Sequence, residues 1–150
     1  METWKRRALG ILALGGGFLG IVMILTKYIS GQAGIGFVVV SIPFLVLYAW
    51  GIWCGIAILE DHPDALRLNQ WFWAIQIPVF LTPYFSYIFY AGGAIILSWS
   101  ITNTRFGAIA QFGSQFQLHI NNGDETAFGI NILAVLVVGF IYRFAKRSAP

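Results

Sequence analysis

Two charge-free apolar runs limit what this chain can become. The first is Ala8–Thr26, ALGILALGGGFLGIVMILT, and the second is Ile35–Leu59, IGFVVVSIPFLVLYAWGIWCGIAIL. About 20 apolar residues in helical form cover the roughly 30 Å hydrocarbon layer of a bilayer, so both runs are long enough to span it. A third stretch begins at Trp71, WFWAIQIPVFLTPYFSYIFY, rich in aromatic rings, carrying Pro78 and Pro83 and no charge. A fourth, AFGINILAVLVVGFIY, covers Ala127–Tyr142. It is short for a span, with Tyr142, Arg143 and Lys146 placed to reach an interface.

Only 10% of the residues are charged and 58% are hydrophobic, whereas an ordinary soluble domain is about 25% charged. The charges gather at the ends of the apolar runs. Lipid demands this, because a charge at mid-bilayer costs about 2.5–3.5 kcal/mol on insertion scales. The sequence therefore predicts one integral membrane domain over residues 1–150. It reads as all-α, with four transmembrane helices at about 8–26, 35–59, 71–93 and 127–143, and the lipid bilayer as its first partner. The net charge of +3 rests largely on Lys5-Arg6-Arg7 and on Arg143, Lys146 and Arg147. Basic groups beside apolar runs fix topology and meet anionic headgroups, so nucleic acid is not an expected partner. The single cysteine, Cys54, lies inside the second run and has no internal disulfide partner. It reads as a small buried hydrophobe. The basic-then-apolar N-terminus reads as an uncleaved signal-anchor, since its run exceeds the 7–15 residues usual in a cleaved signal.

Counting Lys and Arg orients the chain. With four crossings and both termini inside, the inner side holds Lys5, Arg6, Arg7, Arg67, Arg143, Lys146 and Arg147, and the outer side holds Lys27 and Arg105. If the third segment dips in without crossing, the bias falls to five against four, with Arg105 joining the first four residues inside. The positive-inside rule favours the full crossing, in an inner (plasma) membrane with both termini cytoplasmic. Trp71 and Trp73 then meet the inner headgroups, and Tyr84, Tyr87 and Tyr90 reach the outer belt. Pro78 and Pro83 predict a kinked third helix. Ala91–Gly93 weakens that helix, and Ala94–Trp99 fits helix or strand equally. An outer loop of about residues 98–126 follows. Within it Phe116, Leu118 and Ile120 alternate with Gln115, Gln117, His119 and Asn121. That period of two predicts a short β-strand or hairpin, closed by the turn-forming NNGDE.

Function is less legible. Gly16/Gly20 and Gly51/Gly55 make two G-x-x-x-G faces, which let helices approach closely, either from a partner or from this chain itself. Long loops are uncommon without a task, so Arg105, Phe112, Phe116, Gln117 and His119 are the expected loop contacts. The resulting expectation is a protein that acts by binding, as an accessory, regulatory or immunity-like subunit of a membrane partner or as a homo-oligomer. The alternative is a transporter or pore for a neutral or lipophilic solute, its path lined by Gln76 and Asn131 with the prolines as hinges. Glu60, Asp61, His62 and Asp64 put four metal-ligand types in five positions. Yet Pro63 and the acids suit a helix start, and Asp64 and Arg67 stand at i,i+3. Neither a metal nor a cofactor is expected. No Asp, Glu, Lys, Arg or His falls within a predicted apolar core, and no nucleophile/base pair shares a leaflet. Enzyme activity is accordingly not expected. A lipid- or quinone-directed enzyme would have only the Glu60–Asp64 cluster to use.

Overall fold

The two long apolar runs form helices. In the computed structural model, which describes residues 3–120 and 126–148 (the side chains of 119, 120, 147 and 148 excepted), α1 spans Thr3–Ile29 and α2 spans Ile35–Leu59. A short turn at Gly31, with φ of 68°, joins them into an antiparallel hairpin. The Tyr28 hydroxyl and Ser41 Oγ hydrogen-bond across its closed end at 2.7 Å. Both helices are long and apolar enough to cross a membrane. Their outward residues are apolar too: Phe18, Leu19, Val22 and Leu25 on α1, and Val39, Ile42, Val46 and Trp53 on α2, are all exposed.

Beyond Leu59 the chain departs from an all-α, four-span bundle. The third segment is not a helix over 71–93. It is a short helix α3 (Ala65–Ala74) followed by strands β1 (Pro78–Leu81) and β2 (Phe85–Ser100). The prolines explain the stop. A helix through Pro78 would lose a donor and press the ring on the Ala74 carbonyl, and Pro83 repeats the conflict at Val79. Past Pro83 the residues are aromatic and β-branched, and two adjacent glycines lower helix propensity further. The stretch expected to be an outer loop is mostly strand β3 (Arg105–Ile120), which supplies β2 with a partner, and Ala94–Trp99 is strand. The fourth segment is strand β4 (Ala127–Asn131) and then helix α4 (Ile132–Ser148). Its 17 residues make a helix about 25 Å long, short of a bilayer core.

The four strands form one antiparallel sheet, ordered β1-β4-β2-β3. On one edge β2 pairs with β3 without interruption, from Phe85↔Ile120 to Ser100↔Arg105. On its other edge β2 pairs first with β1, at Ser86 and Tyr87, and later with β4, from Ile96 onward. β1 and β4 also pair with each other, again antiparallel. Three mutually antiparallel strands close a ring only if one of them folds over, and β2 does. In a straight strand Ser86 and Ser100 would stand about 45 Å apart. Here Leu81 neighbours both Ser86 and Ala127, and Ala127 neighbours Ser100. Three strand spacings bring the two serines within about 15 Å. The fold-over falls at the pair Gly92↔Gly113, with φ of 90° and 115°, a conformation that side-chain-bearing residues rarely adopt.

Two cores result. The first lies between the helices and the near half of the β2–β3 hairpin, where Phe44, Tyr48, Phe72 and Phe89 are buried and Phe116 stacks on Phe44 at 4.6 Å. The second fills the inside of the curl with Val79, Tyr90, Ala94 and Ile96. β2 serves both by alternation: Phe89 and Ala91 face the helices, while Tyr90 and Ala94 face the curl.

The charges collect at one end. Arg6 bonds Asp61, just past α2, at 2.6 Å, and the Lys5 ammonium lies over the Phe144 ring at 5.7 Å. Asn69 of α3 donates to the Cys54 carbonyl at 2.8 Å. Lys5, Arg6 and Arg7 thus share an end of the molecule with Arg67, Arg143 and Lys146, and Lys27 sits at the other end of α1.

Candidate functional site

The near half of the hairpin is covered by helices, whereas the half beyond Gly92 turns its outer face into the open. Ile95, Leu97 and Trp99 of β2 continue the parity of Phe89 and Ala91 but are exposed. The register extends this face sideways. Leu97 lies between Ala108 of β3 and Ile130 of β4, and Trp99 lies between Phe106 and Phe128. The Trp99 and Phe106 rings stack at 5.5 Å with 17° between their planes. Together with Ile132 at the start of α4, these residues line an open cleft of about 500 Å³. Small residues let its floor close: a methyl group on Gly129 would reach to 3.0 Å from the Leu97 carbonyl, and one on Gly107 to 2.9 Å from Ser98 Oγ. The volume lies within the roughly 300–1,000 Å³ usual for ligand sites. Among the described residues, no titratable group lines the cleft, so its chemistry is recognition of apolar matter by burial and ring stacking.

The residues singled out from the sequence scatter. Arg105 and Phe112 lie exposed on the far half of β3, Arg105 next to the cleft residue Phe106 and Phe112 four residues beyond Ala108, the last β3 residue of the cleft wall. Phe116 turns inward onto Phe37 and Phe44. Gln117 lies on the near half, opposite Ile88. The backbone of His119 pairs with Ser86, but its side chain falls outside the described residues. The four glycines pack within the chain. A methyl on Gly16 would lie 2.2 Å from the Gly92 nitrogen, one on Gly20 2.3 Å from the Tyr48 ring, one on Gly51 2.5 Å from the Phe72 ring, and one on Gly55 2.6 Å from Leu14 Cβ. Ser114 Oγ also donates to the Gly16 carbonyl at 2.5 Å, so α1 is clamped to the fold-over of the sheet.

Gln76 and Asn131, expected along a solute path, are fully buried and hold backbone together. Between its pairing with β1 and with β4, the edge of β2 lacks a strand neighbour among the described residues. Gln76 Oε1 accepts from the Ala91 N–H at 2.9 Å, while its amide donates to the Phe72 carbonyl at 3.1 Å. Asn131 Oδ1 accepts from the Ile95 N–H at 3.2 Å and from the Ala134 N–H at 3.4 Å, capping α4 as well. The Tyr90 hydroxyl sits inside the curl between the side-chain amides of Gln111 and Gln115.

In the acidic loop, Asp61 takes a φ of 62° and its carboxyl is bonded to Arg6. That hydrogen bond, and then the guanidinium charge, hold the Asp61 carboxyl below the usual carboxylate range. His62 Nδ1 accepts from the Asp64 N–H at 3.3 Å. Among the described residues, no three His, Cys, Asp or Glu side chains converge as a metal site would require.

Sequence reasoning missed Leu97, Trp99, Phe106, Phe128 and Ile130. A faint signal existed: Leu97 and Trp99 alternate with Ser98 and Ser100, and Phe128 and Ile130 flank Gly129. The surrounding apolar context made a helix the simpler expectation. Compared with known proteins, the chain matches no family model, no curated protein and no solved structure.

Proposed function

We propose that this is a multi-pass protein of the inner (plasma) membrane, with both termini cytoplasmic, that acts by binding. It serves as an accessory or regulatory, immunity-like subunit whose curled sheet holds an apolar part of a membrane partner. The observation that carries this reading is the open apolar cleft with its stacked Trp99 and Phe106 and the neighbouring Phe128. Aromatic rings that a partner can bury are the kind of group that dominates binding energies.

The membrane setting draws support from the exposed apolar faces of α1 and α2 and from the basic residues gathered at one end. The crossings are α1 and α2, and the Lys5 ammonium lying over Phe144 of α4 supports both termini on one side. Non-helical backbone at membrane depth is tolerated only where protein meets its polar groups. The break between α3 and β1 fits that requirement: the Tyr87 hydroxyl donates to the Ile75 carbonyl at 2.9 Å, and the Asn131 N–H to the Ile77 carbonyl at 2.9 Å. Binding is favoured over a solute path because Gln76 and Asn131 are committed to main-chain partners.

The test is a pull-down of the tagged protein from its native membrane in mild detergent, with the composition of the complex determined. A stoichiometric foreign membrane protein is expected. Trp99→Ala combined with Phe128→Ala should weaken its retention by at least about 30-fold, the equivalent of a 2 kcal/mol hot spot. Phe18→Ala, on the exposed face of α1, should retain it. Equal retention by the cleft variant and Phe18→Ala would remove the cleft from the function, and the absence of any foreign partner would refute the accessory reading.

A further inference from the structure

Among the described residues, the outer edge of β3 has no strand beside it. Its near half is screened by the helices, but residues 105–112 are exposed throughout. Open edges are usually blunted by lysine, proline or a short strand. Here the exposed stretch reads RFGAIAQF, and its one charge, Arg105, stands at its start. In lipid such an edge leaves unmet backbone groups, and in water it templates pairing, so either medium favours covering it.

Three observations specify what covers it. The first is the direction of the backbone. The N–H groups of Ala91 and Ile95 point to Gln76 and Asn131, away from β3. Odd-numbered residues of β2 therefore form the non-hydrogen-bonded pairs with β3, and their opposites on the far half, Phe106, Ala108, Ala110 and Phe112, aim N–H and C=O at the free edge. The second is symmetry. Residues 106–112, FGAIAQF, read nearly the same in both directions about Ile109. A two-fold antiparallel pairing centred there sets Phe106 opposite Phe112 of the second copy, Ala108 opposite Ala110, and Ile109 opposite itself. All four even-numbered residues then become hydrogen-bonded pairs, which is the parity the free edge presents. The third is exposure. Phe106 and Phe112 are 85% and 97% exposed, and such a pairing brings them side by side. Arg105 falls opposite Gly113 of the second copy, so like charges do not meet.

We propose that β3 pairs edge to edge with β3 of a second copy of this chain, about a two-fold axis at Ile109, giving one continuous eight-stranded sheet. Four phenyl rings offer on the order of 600–1,000 Å², half or more of the ~1,200 Å² at which specific interfaces begin. Phe106 and Ala108 border both surfaces, but the two-fold axis lies at Ile109, which is not part of the cleft, so the cross-link is read independently of the partner pull-down.

Cysteine cross-linking in native membranes tests it. In a Cys54→Ala background, Ile109→Cys places two thiols across a non-hydrogen-bonded pair with Cα atoms about 4.5 Å apart, within disulfide reach. Copper–phenanthroline should convert it to a reducible dimer of doubled mass. Phe106→Cys, whose two copies would stand about 20 Å apart, should cross-link at least about tenfold less. Ala108→Pro removes an N–H aimed at the free edge and none from the β2–β3 ladder. Added to Ile109→Cys, it should leave thermal stability unchanged and lower the cross-link about tenfold. No cross-link at Ile109→Cys, equal cross-linking at residues 106 and 109, or a folded Ala108→Pro variant that still cross-links would each overturn the pairing.

Discussion

Gly15 and Gly16 are adjacent in α1, yet the same substitution should act on them in opposite directions. An alanine methyl gains about 0.8–1 kcal/mol of helix propensity over glycine. At Gly15 nothing lies within 4 Å of the added carbon, so the gain should be realised. At Gly16 the methyl would lie 2.2 Å from the Gly92 nitrogen, 2.4 Å from the Ala91 carbonyl carbon and 2.7 Å from Gly92 Cα. These are backbone atoms, and they belong to the fold-over that Gly92 holds at a φ of 90°. They have no rotamer to escape into, so α1 must back off the sheet by about 1 Å or more, stretching the Ser114–Gly16 hydrogen bond. Overpacking of this kind costs about 1–3 kcal/mol, sometimes more, and outweighs the propensity gain. Thermal unfolding in detergent, followed by tryptophan fluorescence, reads the difference. At about 2–4 °C per kcal/mol for a chain of this size, Gly15→Ala should rise by about 2–4 °C and Gly16→Ala, whose overpacking is offset in part by the same propensity gain, should fall by up to about 8 °C. A pair of shifts with the same sign and size would mean that α1 does not seat on the Gly92–Gly113 fold-over.

Three further outcomes are expected. Gln76→Leu leaves the buried Ala91 N–H without its acceptor, at a cost of about 1–3 kcal/mol. Amide hydrogen exchange should show Ala91 losing protection while residues in the middle of α2 keep theirs. Gly113→Ala meets open space but a φ of 115°, so it should destabilise by about 1–3 kcal/mol through backbone strain alone. Gly139→Ala, also in open space but helical, should not. Arg6 lowers the carboxyl of Asp61, so the stabilisation from that pair is present above the ordinary carboxylate pKa of about 4 and is lost as the pH falls through the lowered folded value. Arg6→Gln should flatten the dependence of the thermal midpoint on pH in that acid window and leave its slope near neutrality unchanged.

How far the fold could be read ahead of the structure varied along the chain. The second apolar run has the bounds of α2, and the first falls within α1. The alternation at Phe116–Ile120 marks the last residues of β3. Pro78, Pro83 and the Gly92–Gly93 pair stood in plain view, but each also fitted a kinked membrane helix. The expected contact glycines had two readings from the start, and their neighbours Gly92, Tyr48, Phe72 and Leu14 lie in other elements. The cleft drew even less notice, because its walls come from three strands whose side chains meet only through register.

The difference is physical. A helix closes its hydrogen bonds over four residues, so an uninterrupted apolar run states its own structure and its affinity for lipid. The sequence by itself determined α1, α2 and the gathering of basic residues at the helix ends. A strand takes its hydrogen bonds from elsewhere in the chain. Whether Phe85–Ser100 became strand depended on Arg105–Ile120 lying beside it, on β1 and β4 meeting its two ends, and on Gly92 and Gly113 permitting the turn between them. Only the tertiary structure decided those pairings, and with them the clamp on Gly16, the tasks of Gln76 and Asn131, and the exposed apolar face.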